Sequence, residues 1–589
     1  MPSTELTLGI VGSGGDGVIT VGDILSQAAA FEGLNVIKTE AYGPQIRGGE
    51  SSCNVRIAVK HIEAQADRVD VLVAFNWPDF NRFKGEMLPG DNAIILYEAS
   101  DPTPVPEGIP PKAVRVPVPY IQLAMDSAGT KAAKNIVTLG VLAGLFNVSI
   151  DAIRAAITKK FSGKKAGLLD ANVKGFESGI AYAKTLGAIG ESKRLEYKKG
   201  SPKVLLSGNE ACAIGALHAG CRFFAGYPIT PSSEVLHFLS EWLPRHGGSV
   251  VQTEDELAAI GAVVGASFAG VKSMTSTSGP GLSLMTEMLG LAAMAEVPTV
   301  VWNVQRGGPS TGLPTKSEQS DLFQGVFAGH GDQPRVVLSA EDVETCFHST
   351  VDAFNISEEF QIPVVVLADQ SIAQRRETVS PEAFKHAVIG RRVPAPEEMA
   401  PYRRYKETAD GVSPMSFPGI KEGIYQTNGL EHDESGRPNS MHLMHEQMSA
   451  KRYRRLRPIR DKYHDFYRMG PEKADLGILC WGSSKGTVLE AIEAANAAGA
   501  KVAGFSPKVL YPFPKAQFLE FLNSVNQVLV IEVSFAAQFY KYIRTFIDLP
   551  EHRVKVFCRS GGKNLSVPEV AEQIRKALSE MSMQKEVLI

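Results

Sequence analysis

The chain has no uninterrupted run of about 18 apolar residues, so no membrane-spanning helix is expected. Its first residues, MPSTELTLGIVGSGGDG, hold no basic stretch and no cleavage-like site, so no secretory leader is expected either. Cysteine is scarce: six among 589 residues, at 53, 212, 221, 346, 480 and 558, with no C-x-x-C pair. That spacing suits neither a disulfide framework nor an iron–sulfur cluster held by this chain alone, and it points to a reduced, cytoplasmic setting. Net charge is nearly absent. The 61 Lys and Arg against 64 Asp and Glu leave −3, which gives no electrostatic reason to expect nucleic acid as a partner.

What is present suits a folded protein. The chain is 44% hydrophobic and 21% charged, which excludes disorder as its main state. At about 150 residues per domain, 589 residues predict three or four domains. The 55 glycines are mildly in excess and gather in a few turns.

Residues 5–11 (ELTLGIV) read as a buried strand, followed by a Gly-rich turn, a helix over about 18–32 and a second strand at 35–41. VDVLVAF (69–75) and NAIILY (92–97) read as further parallel strands, and 131–160 as helical. This first α/β domain spans 1–190, with ESKRLEYKKG as a linker. A second α/β domain, 201–375, opens at KVLLSG (203–208) and ends at PVVVLAD (363–369). Residues 376–470 show little periodicity and read as an irregular connection or interface. Within it, KRYRRLRPIR (451–460) reads as a solvated or subunit-facing stretch, with an anion site as the alternative. A third α/β domain, 471–589, runs from ADLGILCWG through two helices and three more strands to a closing helix. The fold class is therefore α/β, with three parallel-sheet domains.

Gly12-Ser13-Gly14-Gly15-Asp16-Gly17 fits G-x-G-x-x-G between a strand and a helix, and Glu40 ends the next strand. That is the dinucleotide-binding pattern, in which a helix N-terminus receives a phosphate. A tight βα turn or another phosphate-bearing ligand explains the glycines equally. The loop Tyr42–Glu50 (YGPQIRGGE) combines permissive backbone with Arg47 and suits close approach to an anion.

A second motif cluster lies in the central domain. Gly226-Tyr227-Pro228-Ile229-Thr230-Pro231-Ser232-Ser233-Glu234 places Thr230 as a helix N-cap with Pro231 following, and free N–H groups there suit a carboxylate. Thr253-Glu254-Asp255-Glu256 matches a T-x-x-E capping box, which by itself would make Glu256 a cap. Thr277-Ser278-Gly279-Pro280-Gly281 is another strand-to-helix turn. The loop Gln305–Lys316 (QRGGPSTGLPTK) brings Arg306 to a strand's carboxyl end, where ligands bind in parallel sheets. His330 and Asp332 are either structural or able to polarise a ligand.

Taken together, GYPITPSSE, QTEDELAAIGA, TSTSGPGLSLMTE and QRGGPSTGLPTK closely resemble the α subunit of 2-oxoacid:ferredoxin oxidoreductases. GSGGDGV and YGPQIRGGE resemble that family's γ domain, here fused ahead of α, and the third domain resembles a transketolase C-terminal-like domain. The domain order and the PSTGLPTK loop look most like the 2-oxoglutarate enzymes, with pyruvate or a branched 2-oxoacid as alternatives.

The resemblance implies that 201–375 is the pyrimidine-binding domain for thiamine diphosphate. It places Mg²⁺, the diphosphate and a [4Fe-4S] cluster in a separate β subunit, with ferredoxin as electron acceptor and an (αβ)2 assembly. No metal ligand is expected in this chain. Glu256 would touch the aminopyrimidine, beside Tyr227, Pro228 and Ile229. Thr230 and Arg306 would bind the substrate carboxylate, with Ser310, Thr311 and Lys316 as further candidates. Gly14, Gly15, Gly17 and Arg47 would lie near coenzyme A. Two other readings stand beside this one: an NAD-dependent dehydrogenase using the first glycine loop, and a scaffold subunit without chemistry.

Overall fold

The protein is described by a computed structural model covering residues 3–43, 49–163, 167–399 and 401–587. It divides into two compact units. One runs through Leu206 and takes in Arg375–Ala383; the other comprises Ser207–Gln374 and the chain from Phe384 onward. No helix among the described residues is long and apolar enough to cross a membrane.

The first unit is built on an eight-stranded mixed sheet. Its spatial order is Val114–Val118, Leu88–Glu98, Arg68–Ala74, Glu5–Ser13, Glu50–Ala58, Asn35–Tyr42, Arg376–Val379 and Val204–Ser207. The strands expected at 5–11, 69–75 and 92–97 form as Glu5–Ser13, Arg68–Ala74 and Leu88–Glu98 and pair in parallel. Glu50–Ala58 differs from expectation: it inserts between Glu5–Ser13 and Asn35–Tyr42, antiparallel to both. Polar residues hide this strand in the sequence. Arg56 is buried because its guanidinium reaches Glu5 (2.7 Å) and the Ala64 carbonyl (2.6 Å). Within 203–208, expected to open the central sheet, Val204–Ser207 instead forms an edge strand of this one. The supposed linker is packed as well, with Leu195 in the unit's core.

The second unit holds two sheets. In the seven-stranded sheet the order is Val509–Tyr511, Val336–Ser339, Pro363–Asp369, Thr299–Gln305, Ser273–Thr277, Phe223–Gly226 and Ser249–Gln252. All pair in parallel except Val509–Tyr511, an antiparallel edge contributed by the C-terminal segment. The five-stranded sheet orders Phe466–Met469, Val502–Pro507, Ala474–Leu479, Val525–Glu532 and Val554–Cys558, with only the first antiparallel. One apolar core joins the two sheets, with Ile260, Val301 and Val337 packed in the same cluster as Trp481, Phe505 and Phe539.

Residues 380–441 are largely irregular, as expected, but the basic stretch that follows is not a solvated face. It forms the helices His442–Arg454 and Leu456–Lys462, and Lys451, Arg452 and Arg455 turn inward together at helical spacing. Lys451 donates to both carboxylate oxygens of Glu296 at 2.8 Å, and Arg455 and Arg404 close around the same fully buried group. Burial pushes the Glu296 carboxyl up. Arg455, Lys451 and Arg404 outweigh that and hold it at about 2. The excess positive charge is met by helix ends. Arg455 donates to the Gln361 carbonyl (2.7 Å), at the C-terminus of the helix Val343–Phe360. Arg404 donates to the Glu296 carbonyl (2.7 Å), just past the helix Gly279–Met294.

Candidate active site

The parallel sheet of the second unit puts the carboxyl ends of Phe223–Gly226, Ser249–Gln252, Ser273–Thr277 and Thr299–Gln305 on one edge. The segments 227–232, 253–255, 278 and 306–321 follow those ends, and ligands bind at such an edge.

Glu256 opens the helix Glu256–Phe268 on this edge. The predicted capping box does not form. Asp255 is the N-cap and accepts from the Ala258 N–H (2.8 Å), while Thr253 donates to the Asp255 carbonyl (2.8 Å). The helix starts at Glu256 itself, so Glu256 sits at the first helical position and its carboxylate is left for another purpose. It is only 5% exposed. Burial lifts its pKa above the usual carboxylate range, helped by Asp255 and opposed by its own N–H and by Arg306. Burial therefore wins over the helix N-terminus, which favours the ionised form.

Across from it, Gly281 lies in the first turn of the helix Gly279–Met294. A Cβ at Gly281 would stand 2.4 Å from Glu256 Oε1 and 2.1 Å from Thr277 Oγ1. The glycine is what lets the carboxylate lie against this helix.

Arg306 follows the strand Thr299–Gln305 and is 7% exposed. Its Nη1 donates to the Thr230 carbonyl (2.5 Å), and its Nε is buried without a partner. Burial lowers its pKa, while the charges of Asp321 and Glu256 raise it. The edge thus brings Glu256, Arg306 and the Thr230 backbone together. Thr230 is not a helix cap, because the chain first turns through 230–232 and the helix Ser233–Trp242 begins after Ser232. Tyr227 and the Thr230 residue are exposed, and Pro228 and Ile229 are half-buried.

The loop beyond Arg306 closes on itself. The Gly307 N–H donates to the Lys316 carbonyl (3.0 Å), and the Leu313 N–H to the Gly307 carbonyl (2.7 Å). Lys316 therefore sits at its base, packed on Gly562, while Ser310 and Thr311 are exposed at its tip. Among the described residues, no hydrogen bond links Ser310 or Thr311 to Glu256 or Arg306. His330 and Asp332 are exposed.

Asp321, in the segment that follows Arg306, was not singled out in the sequence. Asn303 Nδ2 donates to its carboxylate (3.0 Å), and its own N–H donates to Gln305 Oε1 (3.0 Å). Both amides project from the strand that delivers Arg306. The signal available in the sequence was the alternation N-V-Q ahead of Arg306.

In the first unit, the glycine turn leads into the helix Val18–Phe31 with Gly17 at its N-cap. The Ser13 N–H donates to Asp16 Oδ2 (3.0 Å), and Lys134 pairs with Asp16 at 2.8 Å. The side-chain amide of Asn135 lies against Gly17, where a Cβ would be 2.2 Å away. The dinucleotide pattern is overturned by topology. Glu40 belongs to a strand separated from the glycine-turn strand by Glu50–Ala58, and its carboxylate accepts from Lys38 and Tyr42. Arg47 lies outside the described residues.

Three family models match the chain. Residues 214–451 match one described as pyruvate flavodoxin/ferredoxin oxidoreductase, thiamine diP-bdg. Residues 7–182 match pyruvate ferredoxin/flavodoxin oxidoreductase, and 474–570 match pyruvate:ferredoxin oxidoreductase core domain II. A 2-oxoacid:ferredoxin oxidoreductase 2 subunit alpha from Aeropyrum pernix is 30% identical, over 98% of each chain. A 2-oxoglutarate synthase subunit KorA from Methanothermobacter marburgensis is 39% identical over 63% of this chain and 97% of its own. Among solved structures, a 2-oxoglutarate:ferredoxin oxidoreductase from Magnetococcus marinus, with 2-oxoglutarate, coenzyme A and succinyl-CoA bound, is 38% identical. It superposes with a TM-score of 0.92, over 98% of this chain and 99% of that one.

Proposed function

Because the chain belongs to the 2-oxoacid:ferredoxin oxidoreductase family and carries its thiamine diphosphate-binding domain, we propose that it is the α-type subunit of a 2-oxoglutarate:ferredoxin oxidoreductase. The reaction is coenzyme A-dependent oxidative decarboxylation of 2-oxoglutarate to succinyl-CoA and CO2, or its reverse. A β subunit supplies the Mg²⁺ and [4Fe-4S] cluster in an (αβ)2 assembly, and ferredoxin carries the electrons.

The observation that carries this reading is a buried glutamate of raised pKa at a ligand-binding sheet edge, beside a buried arginine. The residues fit thiamine diphosphate. A carboxyl whose pKa burial raises is suited to share a proton with an aminopyrimidine ring nitrogen, and the absence of a side chain at Gly281 leaves that carboxyl its place. Bound thiamine diphosphate supplies the electron sink for decarboxylation. Glu256 holds and returns a proton at its carboxyl. Arg306, positioned by the Thr230 carbonyl, pairs with the substrate's carboxylate through a planar two-pronged donor. Ser310, Thr311 and Lys316 are assigned to the substrate's far end on loop position. Gly14, Gly15, Gly17 and Arg47 are assigned to coenzyme A on the resemblance.

The β-subunit assignment is supported by the surface around Glu256. Leu257 and Leu284 are 49% and 46% exposed, and Gly265 is exposed on the same helix as Leu257.

The test is reduction of a one-electron dye by the chain alone and by the complex that co-purifies with it. The reading predicts thiamine- and coenzyme A-dependent turnover only in the complex, with 2-oxoglutarate preferred. Preference for pyruvate would reassign the substrate. Turnover by the isolated chain would remove the need for a partner.

A further inference from the structure

Asp321 is held in a way that neither helix capping nor solvent exposure explains. It stands at the N-cap of the short helix Leu322–Phe327, yet its side chain makes no capping hydrogen bond. Asn303, fully buried, donates to one carboxylate oxygen at 3.0 Å, and Gln305 takes the Asp321 N–H at 3.0 Å. Residues 303 and 305 share one face of their strand, and Arg306 is the next residue. The other side of the carboxylate is closed by Gly279, where a Cβ would lie 2.8 Å from each oxygen. The group is thus seated from two elements, within electrostatic reach of Arg306, whose Nε is buried and unpartnered.

We infer that Asp321 is a positioning residue whose charge sets how strongly Arg306 draws the carboxylate of a 2-oxoacid. The inference rests on the function proposed above. Asp321 acts through Arg306 and does not touch substrate. Burial pushes its pKa up to about 6, with the Asn303 hydrogen bond and Arg306 opposing and Glu318 adding. Glu256 is the second carboxyl acting on Arg306.

An anion bound at Arg306 repels the ionised Asp321 and draws off its counter-charge. Both effects favour the protonated acid, so binding takes up a proton near pH 6, and affinity falls as the pH rises through that range. Each pKa unit by which binding lifts Asp321 corresponds to about a tenfold weakening across the titration. Asp321→Asn keeps the shape and can still accept from Asn303, but it carries no charge.

The experiment is calorimetric binding of 2-oxoglutarate to the assembled complex near pH 6, in two buffers of different ionisation heat, for the native chain, Asp321→Asn and Glu256→Gln. The inference predicts proton uptake in the native complex, loss of most of it in Asp321→Asn, and its persistence in Glu256→Gln. It also predicts that Asp321→Asn lowers KM above neutral pH by about threefold to tenfold, with kcat changed less. Equal uptake in the native and Asp321→Asn complexes would overturn the inference and leave the proposed function standing. Uptake lost only in Glu256→Gln would do the same. Absence of any 2-oxoacid binding by the native complex would overturn both.

Discussion

Gly281→Ala tests whether the placement of Glu256 matters more than its mere presence. The new Cβ would meet Thr277 Oγ1 at 2.1 Å, Glu256 Oε1 at 2.4 Å and Glu256 Cγ at 2.6 Å. Contacts of this kind do not occur below 3.0 Å, so the carboxylate must retreat by at least about 0.6 Å. Thr277, in a strand buried on both faces, has less room to move than the side chain at the helix start. Misplacing a reacting group by about 1 Å costs on the order of 10²-fold in rate, so turnover should fall about tenfold to a hundredfold. Overpacking costs about 1–3 kcal/mol, and replacing a helical glycine by alanine returns about 0.5–1 kcal/mol. Stability should therefore fall by at most about 2.5 kcal/mol, while activity falls by one to two orders of magnitude. Dye reduction by the reconstituted complex, with thermal unfolding of the same sample, reads both. A folded Gly281→Ala complex with native turnover would refute the assignment of Glu256.

Arg306→Lys keeps the charge but loses the fork and the geometry of the bond to the Thr230 carbonyl. It should raise KM for the 2-oxoacid by about tenfold or more, measured by steady-state kinetics. In the basic cluster, Glu296→Gln strands three buried cations and should cost about 3–5 kcal/mol in denaturant unfolding. Lys451→Met should cost clearly less, since Arg404 and Arg455 still neutralise Glu296. Glu341 is buried, and burial pushes its pKa up to about 7. The folded state then holds this proton more tightly than the unfolded chain, so its contribution is fully present below about pH 4.5 and is lost as the pH rises through about 7. Glu341→Gln should flatten that decline, read as the melting temperature of the two proteins across the window.

Much of this architecture could be read from apolar periodicity. The runs at 71–75, 300–302 and 364–368 are apolar because parallel strands are covered on both faces. What escaped has polar residues where pattern reading expects apolar ones. Glu50–Ala58 carries Ser51, Ser52, Asn54 and Arg56 in a strand that is nonetheless buried, because its charges find partners far away in sequence. The same holds for KRYRRLRPIR, whose inward face is satisfied by Glu296, a residue 155 positions from Lys451. The place of Arg306 at a strand's carboxyl end was legible in the sequence. The place of Glu256 at a helix start was legible by motif, but its freedom from capping was not, since that depends on where the helix begins. Asp321 was invisible because its role comes from two amides on a neighbouring strand and a missing side chain at Gly279.

The central claim is that Glu256 handles a proton on bound thiamine diphosphate. The most direct measurement is exchange of the cofactor's C2 proton for deuterium in the assembled complex, followed by NMR after acid quench, for the native chain and Glu256→Gln. The account predicts that Glu256→Gln still assembles and retains the cofactor, while exchange slows by orders of magnitude. Exchange at the native rate in a loaded Glu256→Gln complex would contradict it.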